Sequence, residues 1–142
     1  MPLYFAYASN MDREHMAKLC PQAEAWGTAR IDNHRFFVAA GGYGSIAPRR
    51  GSSVLGVLWR ISAKDRVALD RYESVETGLY RAVPLPVRHA DKLLKALVYI
   101  ATDATPTRPR PAYRQMVLAA ARYWGFPDDY IDGLEQAMMQ QP

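Results

Sequence analysis

Val54-Leu55-Gly56-Val57-Leu58-Trp59-Arg60-Ile61-Ser62-Ala63-Lys64-Asp65 turns from strand to helix within a few residues. Leu55, Val57, Trp59 and Ile61 fall on one side at period two, the spacing of a half-buried strand. Ser62 followed three positions later by Asp65 resembles a capping box, with Asp in place of the usual Glu. The helix it opens is predicted to run to about Tyr72 or Glu73. Val67 and Arg71 then lie one turn apart, as do Leu69 and Glu73. The fold class depends on what surrounds this strand and helix.

Upstream, strands dominate. Leu3–Ala6 is a short apolar strand, and Tyr7-Ala8-Ser9-Asn10 interrupts it with turn-forming residues. Residues 12–19 read as a helix stopped by Cys20-Pro21. Residues 25–31 and 35–40 read as two strands around a hairpin turn at Asp32-Asn33-His34. Gly41-Gly42-Tyr43-Gly44-Ser45 reads as a loop. It lacks the third glycine of a dinucleotide fingerprint and the Lys-Ser/Thr of a phosphate loop.

Downstream, residues 80–88 form a strand whose Pro84 and Pro86 each remove a ladder donor, so it lies at an edge or carries a bulge. Residues 94–101 form another strand, and 102–111 a proline-punctuated loop. Residues 112–124 are amphipathic, with Tyr113, Met116, Val117, Ala120, Ala121 and Trp124 on one stripe. Gly125 ends that helix and Pro127 bars its continuation. Asp128 is a candidate cap for a last helix that buries Tyr130, Ile131, Leu134, Ala137 and Met138. Strands come in runs and do not alternate with helices, which argues against a doubly wound parallel sheet. The expectation is α+β: a small, mainly antiparallel, barrel-like sheet with flanking helices, one domain spanning 1–142.

Composition narrows the function classes. The chain has 142 residues, of which 49% are hydrophobic and 23% charged, a globular balance. No apolar run reaches a membrane span, and the N-terminus has no basic lead, so a cytoplasmic protein without membrane contact is expected. The net charge of +4 permits anionic partners, but the basic residues are scattered, with small clusters at Arg49-Arg50 and Arg108/Arg110. No aromatic–basic recognition motif accompanies them, so nucleic acid is not expected as a partner.

Metal chemistry lacks ligands at working spacing: His15, His34 and His89 are far apart, each reading as a surface residue, and Cys20 is alone. Cys20 reads as a packed small hydrophobe, without a partner for a disulfide. Ser9 sits on a strand-to-helix loop but lacks the flanking glycines of a nucleophile elbow. Glu73 is the residue with chemical promise. A carboxylate at a helix C-terminus faces the unfavourable end of the dipole, and partial burial would raise its pKa further, towards that of a general base. The alternative is a solvated Glu in an ion pair with a neighbour on its own helix. Composition alone favours the alternative, because Glu is usually exposed.

Four segments taken together resemble one family. Tyr4-Phe5-Ala6-Tyr7-Ala8-Ser9-Asn10-Met11 is similar to the Tyr-Phe-Ala-Tyr-Gly-Ser-Asn loop of γ-glutamylcyclotransferases. Gly56-Val57-Leu58-Trp59 follows at family spacing. Leu69-Asp70-x-x-Glu73 with Gly78-x-Tyr80 resembles the family's catalytic-glutamate segment. Pro111-Ala112-Tyr113 opens a helix where the family places a substrate-contacting tyrosine. The resemblance runs from Tyr4 to about Glu135.

The resemblance implies a small antiparallel barrel with flanking helices and a cofactor-free, metal-free reaction. In that reaction the free α-amine of a γ-glutamyl group attacks its own γ-carbonyl, giving 5-oxoproline and a released amine or amino acid. It implies Glu73 as acid/base, and Tyr4, Phe5, Ala6, Tyr7, Ala8, Ser9, Asn10 and Tyr113 around a small-molecule γ-glutamyl substrate. The loop differs from the Gly-Tyr-Gly-Ser-Leu of glutathione-specific relatives, so γ-glutamyl amino acids, amines or a protected natural product are expected before glutathione. Some relatives form homodimers, which leaves a homodimer open here. The other readings are a non-catalytic γ-glutamyl-ligand-binding domain of the same fold and, less favoured, a basic nucleic-acid-binding module.

Two positions depart from the family pattern. Ala8 replaces a glycine, and Ser74 replaces the glycine after the glutamate. If position 8 needs φ > 0, alanine costs about 1–2 kcal/mol; if φ is negative, the change only adds a methyl group beside the substrate.

Overall fold

The computed structural model describes residues 2–139. Its sheet is built around one long hairpin, β2 (Glu24–Val38) against β3 (Gly44–Arg60). β1 (Leu3–Ala6) pairs antiparallel with the far end of β3, Phe5 opposite Leu58 and Ala6 opposite Val57. β4 (Tyr80–His89) and β5 (Lys92–Ala101) form a second hairpin, paired along their whole length. β5 meets β1 in parallel at Tyr4–Leu97, and β4 meets β2 at Arg30–Arg88. Among the described residues these strands close a barrel in the order β1-β3-β2-β4-β5. The mainly antiparallel, barrel-like α+β architecture expected from the sequence is therefore the one observed.

The helices lie around the barrel: α1 (Arg13–Leu19), α2 (Ala63–Tyr72), α3 (Pro111–Tyr123) and α4 (Asp128–Met139). α2 begins with the predicted box: Ser62 Oγ accepts the Asp65 N–H at 3.1 Å, and Asp65 Oδ2 accepts the Ser62 N–H at 3.0 Å. α3 starts with Pro111 in its first turn, where a missing N–H costs nothing. Gly125, at φ 75°, ends the run as predicted. Ile131, Leu134 and Met138 are buried along α4, but Asp128 is its first helical residue and not its cap. No helix among the described residues is long and apolar enough to cross a membrane.

Three expectations are corrected. Asp32-Asn33-His34 is not a hairpin turn, because β2 runs straight through it. Asn33 takes φ 58°, its side-chain oxygen accepts the Gly51 N–H at 3.1 Å, and it alone opposes residues 49–52 in a bulge. The local turn signal was real, but pairing with a continuous β3 on both sides absorbs it. The true hairpin turn is the glycine-rich stretch: the Ala39 N–H donates to Tyr43 O at 2.8 Å, and Gly41 and Gly42 have φ near +90°.

The second correction concerns faces. Leu55 is only partly buried, while Val54 and Leu58 on the opposite side are fully buried. β3 is covered on both sides, so period two does not separate core from surface there. The third concerns the histidines, which are half-buried and not free surface residues. His89 Nδ1 lies 3.0 Å from Thr28 O and His34 Nδ1 lies 2.9 Å from Asp32 O. Cys20 is buried as expected, its thiol pushed up to about 12 by burial and the nearby Asp65 carboxylate.

Candidate active site

The loop after β1 is held from several directions. The Tyr7 hydroxyl donates to Tyr99 O on β5 at 2.6 Å. Asn10 Nδ2 donates to the Tyr4 hydroxyl at 2.9 Å, and Trp124 Nε1 donates to Met11 O at 2.8 Å. Ser9–Met11 form a single 3-10 turn. Its first hydrogen bond is from the Met11 N–H to Ala8 O at 3.1 Å, so the N–H groups of Ser9 and Asn10 have no partner inside the turn. Ala8 has φ −138°. Its alanine side chain therefore meets no left-handed penalty and places a methyl group in the wall.

Across from this loop, Glu73 is the C-terminal cap of α2, its N–H donating to Leu69 O at 2.9 Å. Ser74 then takes φ 53°, a conformation that favours glycine, and turns the chain away from the helix axis. Short-range bonds fix the following turns: the Val75 N–H to Asp70 O at 3.0 Å and the Leu79 N–H to Ser74 O at 3.1 Å. Burial pushes the Glu73 carboxyl up to about 7. Nothing offsets that burial, since among the described residues no Lys, Arg or His pairs with it.

Between the two walls lies a cavity of about 260 Å³. It is lined by Tyr4, Phe5, Tyr7, Ala8, Ser9, Asn10, Tyr43, Gly44, Tyr72, Glu73, Ser74, Leu79, Tyr80, Tyr99 and Tyr113. The lining thus takes most of the chain's tyrosines and only one ionisable side chain besides them, Glu73. Burial, followed by the Glu73 charge, raises the pKa of Tyr4 and Tyr80 and keeps these two phenols neutral. Their hydroxyls bond to fixed partners. Tyr80 donates to Gly44 O at 2.7 Å, and Tyr99 donates to Asp70 Oδ1 at 2.6 Å, an oxygen also held by Arg66 Nε at 3.1 Å. The Tyr113 oxygen accepts the Gly44 N–H at 2.8 Å, which leaves its own proton to donate elsewhere. The site offers neutral donors, backbone N–H groups and a single titrating carboxylate. Among the described residues no cluster of His, Cys, Asp and Glu could hold a metal ion.

Of the residues singled out from sequence, Glu73, Tyr4, Phe5, Tyr7, Ala8, Ser9, Asn10 and Tyr113 come together in this lining. Ala6 does not; it is buried in the ladder opposite Val57. Sequence reasoning missed Tyr43, Gly44, Tyr72, Leu79, Tyr80 and Tyr99 as lining residues. Tyr72 adjoins Glu73 and Tyr43 interrupts a glycine run, both usable signals. Tyr99 reads as an ordinary strand residue.

The AIG2-like family model matches residues 53–134, more than half of the chain, including α2 and Glu73. The chain belongs to this family. Among sequence relatives of this AIG2-like protein, the γ-glutamylcyclotransferase of Mus musculus is 27% identical over 144 residues, covering 94% of this chain and 77% of that protein. A solved γ-glutamyl cyclotransferase structure superposes with a TM-score of 0.86 at 26% identity, over 94% of this chain and 86% of the other. The crystal structure of YkqA from Bacillus subtilis gives a TM-score of 0.87 at 22% identity, over 99% of this chain and 55% of that one, a likeness of fold.

Proposed function

We propose that this protein is a γ-glutamyl cyclotransferase in which Glu73 is the general acid/base. One observation carries the reading: Glu73 is the only carboxylate in the lining of a tyrosine-walled cavity, and burial lifts it to about 7. A group with that pKa is divided between base and acid forms at neutral pH, as proton transfer in both directions requires. The similarity to γ-glutamylcyclotransferases supplies the reaction class.

In the proposed reaction the substrate folds so that its α-nitrogen faces its own γ-carbonyl. Holding that conformer supplies much of the acceleration, because the attack is intramolecular. The α-nitrogen begins as an ammonium. Glu73 takes a proton, the C–N bond of the ring forms, and the γ-carbonyl oxygen becomes an oxyanion. The N–H groups of Ser9 and Asn10, which have no partner inside their turn, are suited to that oxyanion or to the substrate carboxylate. Tyr113, with a proton to donate, is suited to the glutamyl end. Collapse of the tetrahedral state breaks the bond to the leaving nitrogen. Overall, two protons pass from the α-nitrogen to the leaving nitrogen, with Glu73 as the relay. The products are 5-oxoproline and a free amine or amino acid, and no step calls on a metal.

The test is 5-oxoproline release from γ-glutamyl amino acids, γ-glutamyl amines and glutathione. Wild type is expected to release it, and Glu73→Gln is expected to lose at least about 10²–10⁴-fold in rate while keeping its fold. A folded, active Glu73→Gln protein would refute the assignment. Ligand binding without release by wild type would move the reading to a non-catalytic binder.

A further inference from the structure

Most large apolar side chains of this protein are covered, and three that are not stand together at one place. Tyr43 is 37% exposed, Tyr72 45% and Leu79 38%, and all three line the cavity that holds Glu73. They come from three separate segments: the β2–β3 turn, the end of α2 and the turn before β4. The deeper tyrosines, Tyr4 and Tyr7, are almost fully covered and committed to hydrogen bonds. The cavity is therefore graded, with a polar interior that suits a glutamyl group and an apolar mouth. Clustered apolar surface at a cavity mouth is the usual mark of a ligand contact.

Arg110 stands beside this mouth. Its guanidinium sits 5.5 Å from the centre of the Tyr43 ring, and its stem packs against Gly42, where an added Cβ would come within 3.4 Å of it. The Tyr43 ring is also braced by Tyr113, edge to face at 5.2 Å. The rim is thus apolar, with a positive charge beside it.

We infer that the mouth formed by Tyr43, Tyr72 and Leu79 is a leaving-group subsite selecting γ-glutamyl compounds whose released amine carries a large apolar or aromatic side chain. The inference rests on the cyclotransferase reading of the same cavity. A glycine leaving group would leave the three side chains wet. A leaving group with a cationic tail would meet Arg110 as a like charge.

The experiment compares kcat/KM for γ-glutamyl-phenylalanine, γ-glutamyl-glycine and γ-glutamyl-putrescine by 5-oxoproline release. The phenylalanine compound is expected to exceed the glycine compound by at least about tenfold, with the putrescine compound lowest, since burying several methylene-sized groups discriminates on that scale. Leu79→Ala and Tyr43→Ala, both at exposed positions, are expected to shrink the phenylalanine-to-glycine ratio. Calorimetric Kd values for the same compounds give the ranking without turnover. Release with equal kcat/KM for phenylalanine and glycine, or a ratio unchanged in both variants, overturns the subsite and leaves the reaction standing. Absence of release from every compound overturns the reaction, and the Kd ranking then decides the subsite alone.

Discussion

The two walls of the cavity are built by opposite means. On one side, β1 and its loop are buried and tied to distant parts of the chain: Tyr7 to Tyr99, Asn10 to Tyr4, Met11 to Trp124. On the other, residues 73–79 form consecutive turns, exposed from Glu76 to Leu79 and held mostly by bonds between near neighbours, with one distant tie where the Thr102 N–H donates to Leu79 O at 3.1 Å. The first wall gets its precision from tertiary packing; the second gets it mainly from a helix end and two residues at positive φ, Ser74 and Gly78. The fixed donors sit on the rigid wall. The titrating group sits on the other, where α2 ends and burial is uncompensated.

The largest effect is expected from breaking the rigid wall. A Cβ at Gly56 would overlap the Ala6 carbonyl oxygen, a backbone group of the strand paired with β3, and come within 2.6 Å of the fully buried Phe5 ring. Gly56→Ala is expected to cost about 3 kcal/mol or more, as severe overpacking does, and to lower Tm by roughly 10 °C in a thermal melt. An unchanged Tm would show that β1 is not the rigid element described.

The turn-built wall should respond in the other direction. The Glu73 carboxyl titrates at about 7 in the folded protein, against an ordinary value of 4.5. The folded state therefore binds more protons between those values, and stability falls as pH rises through the window. The penalty is absent below about 4.5 and complete above about 7. Glu73→Gln removes it, so the variant is expected to be more stable than wild type by roughly 1–3 kcal/mol at pH 8 and by almost nothing at pH 4. Denaturant titrations at the two pH values check this. Equal stability at pH 8 would mean that the carboxylate is not desolvated.

The smallest effect sharpens the contrast. Ser74 sits at φ 53°. Ser74→Gly removes a left-handed penalty of about 1 kcal/mol and adds a comparable chain-entropy cost in the unfolded state, so the net change is expected to stay within about 0.5–1 kcal/mol. A calorimetric Tm shift of more than several degrees would show that the Ser74 side chain has a structural role beyond its backbone angle.

The same contrast explains what could be read from sequence. Local signals carried the helices and the placement of Glu73: the Ser62–Asp65 box starts α2, whose predicted end near Tyr72 or Glu73 agrees with Glu73 as its C-terminal cap. The tight loop after β1 was legible for the same reason. Long-range pairing was less so. Asn33 carries a true turn signal that a continuous β3 overrides, and residues 46–53 show no clean alternation because they border a bulge. Tyr99 joins the cavity only through the closure of the barrel, which has no local signature. The question raised by Ala8 needed a backbone angle, and φ −138° answers it.

The central claim is that a desolvated Glu73 does the proton transfer, and the pH dependence of kcat/KM for 5-oxoproline release tests it most directly. The active free enzyme needs Glu73 ionised, so kcat/KM is expected to fall about tenfold per pH unit below about 7. A profile that stays flat down to pH values near an ordinary glutamate pKa would contradict the account.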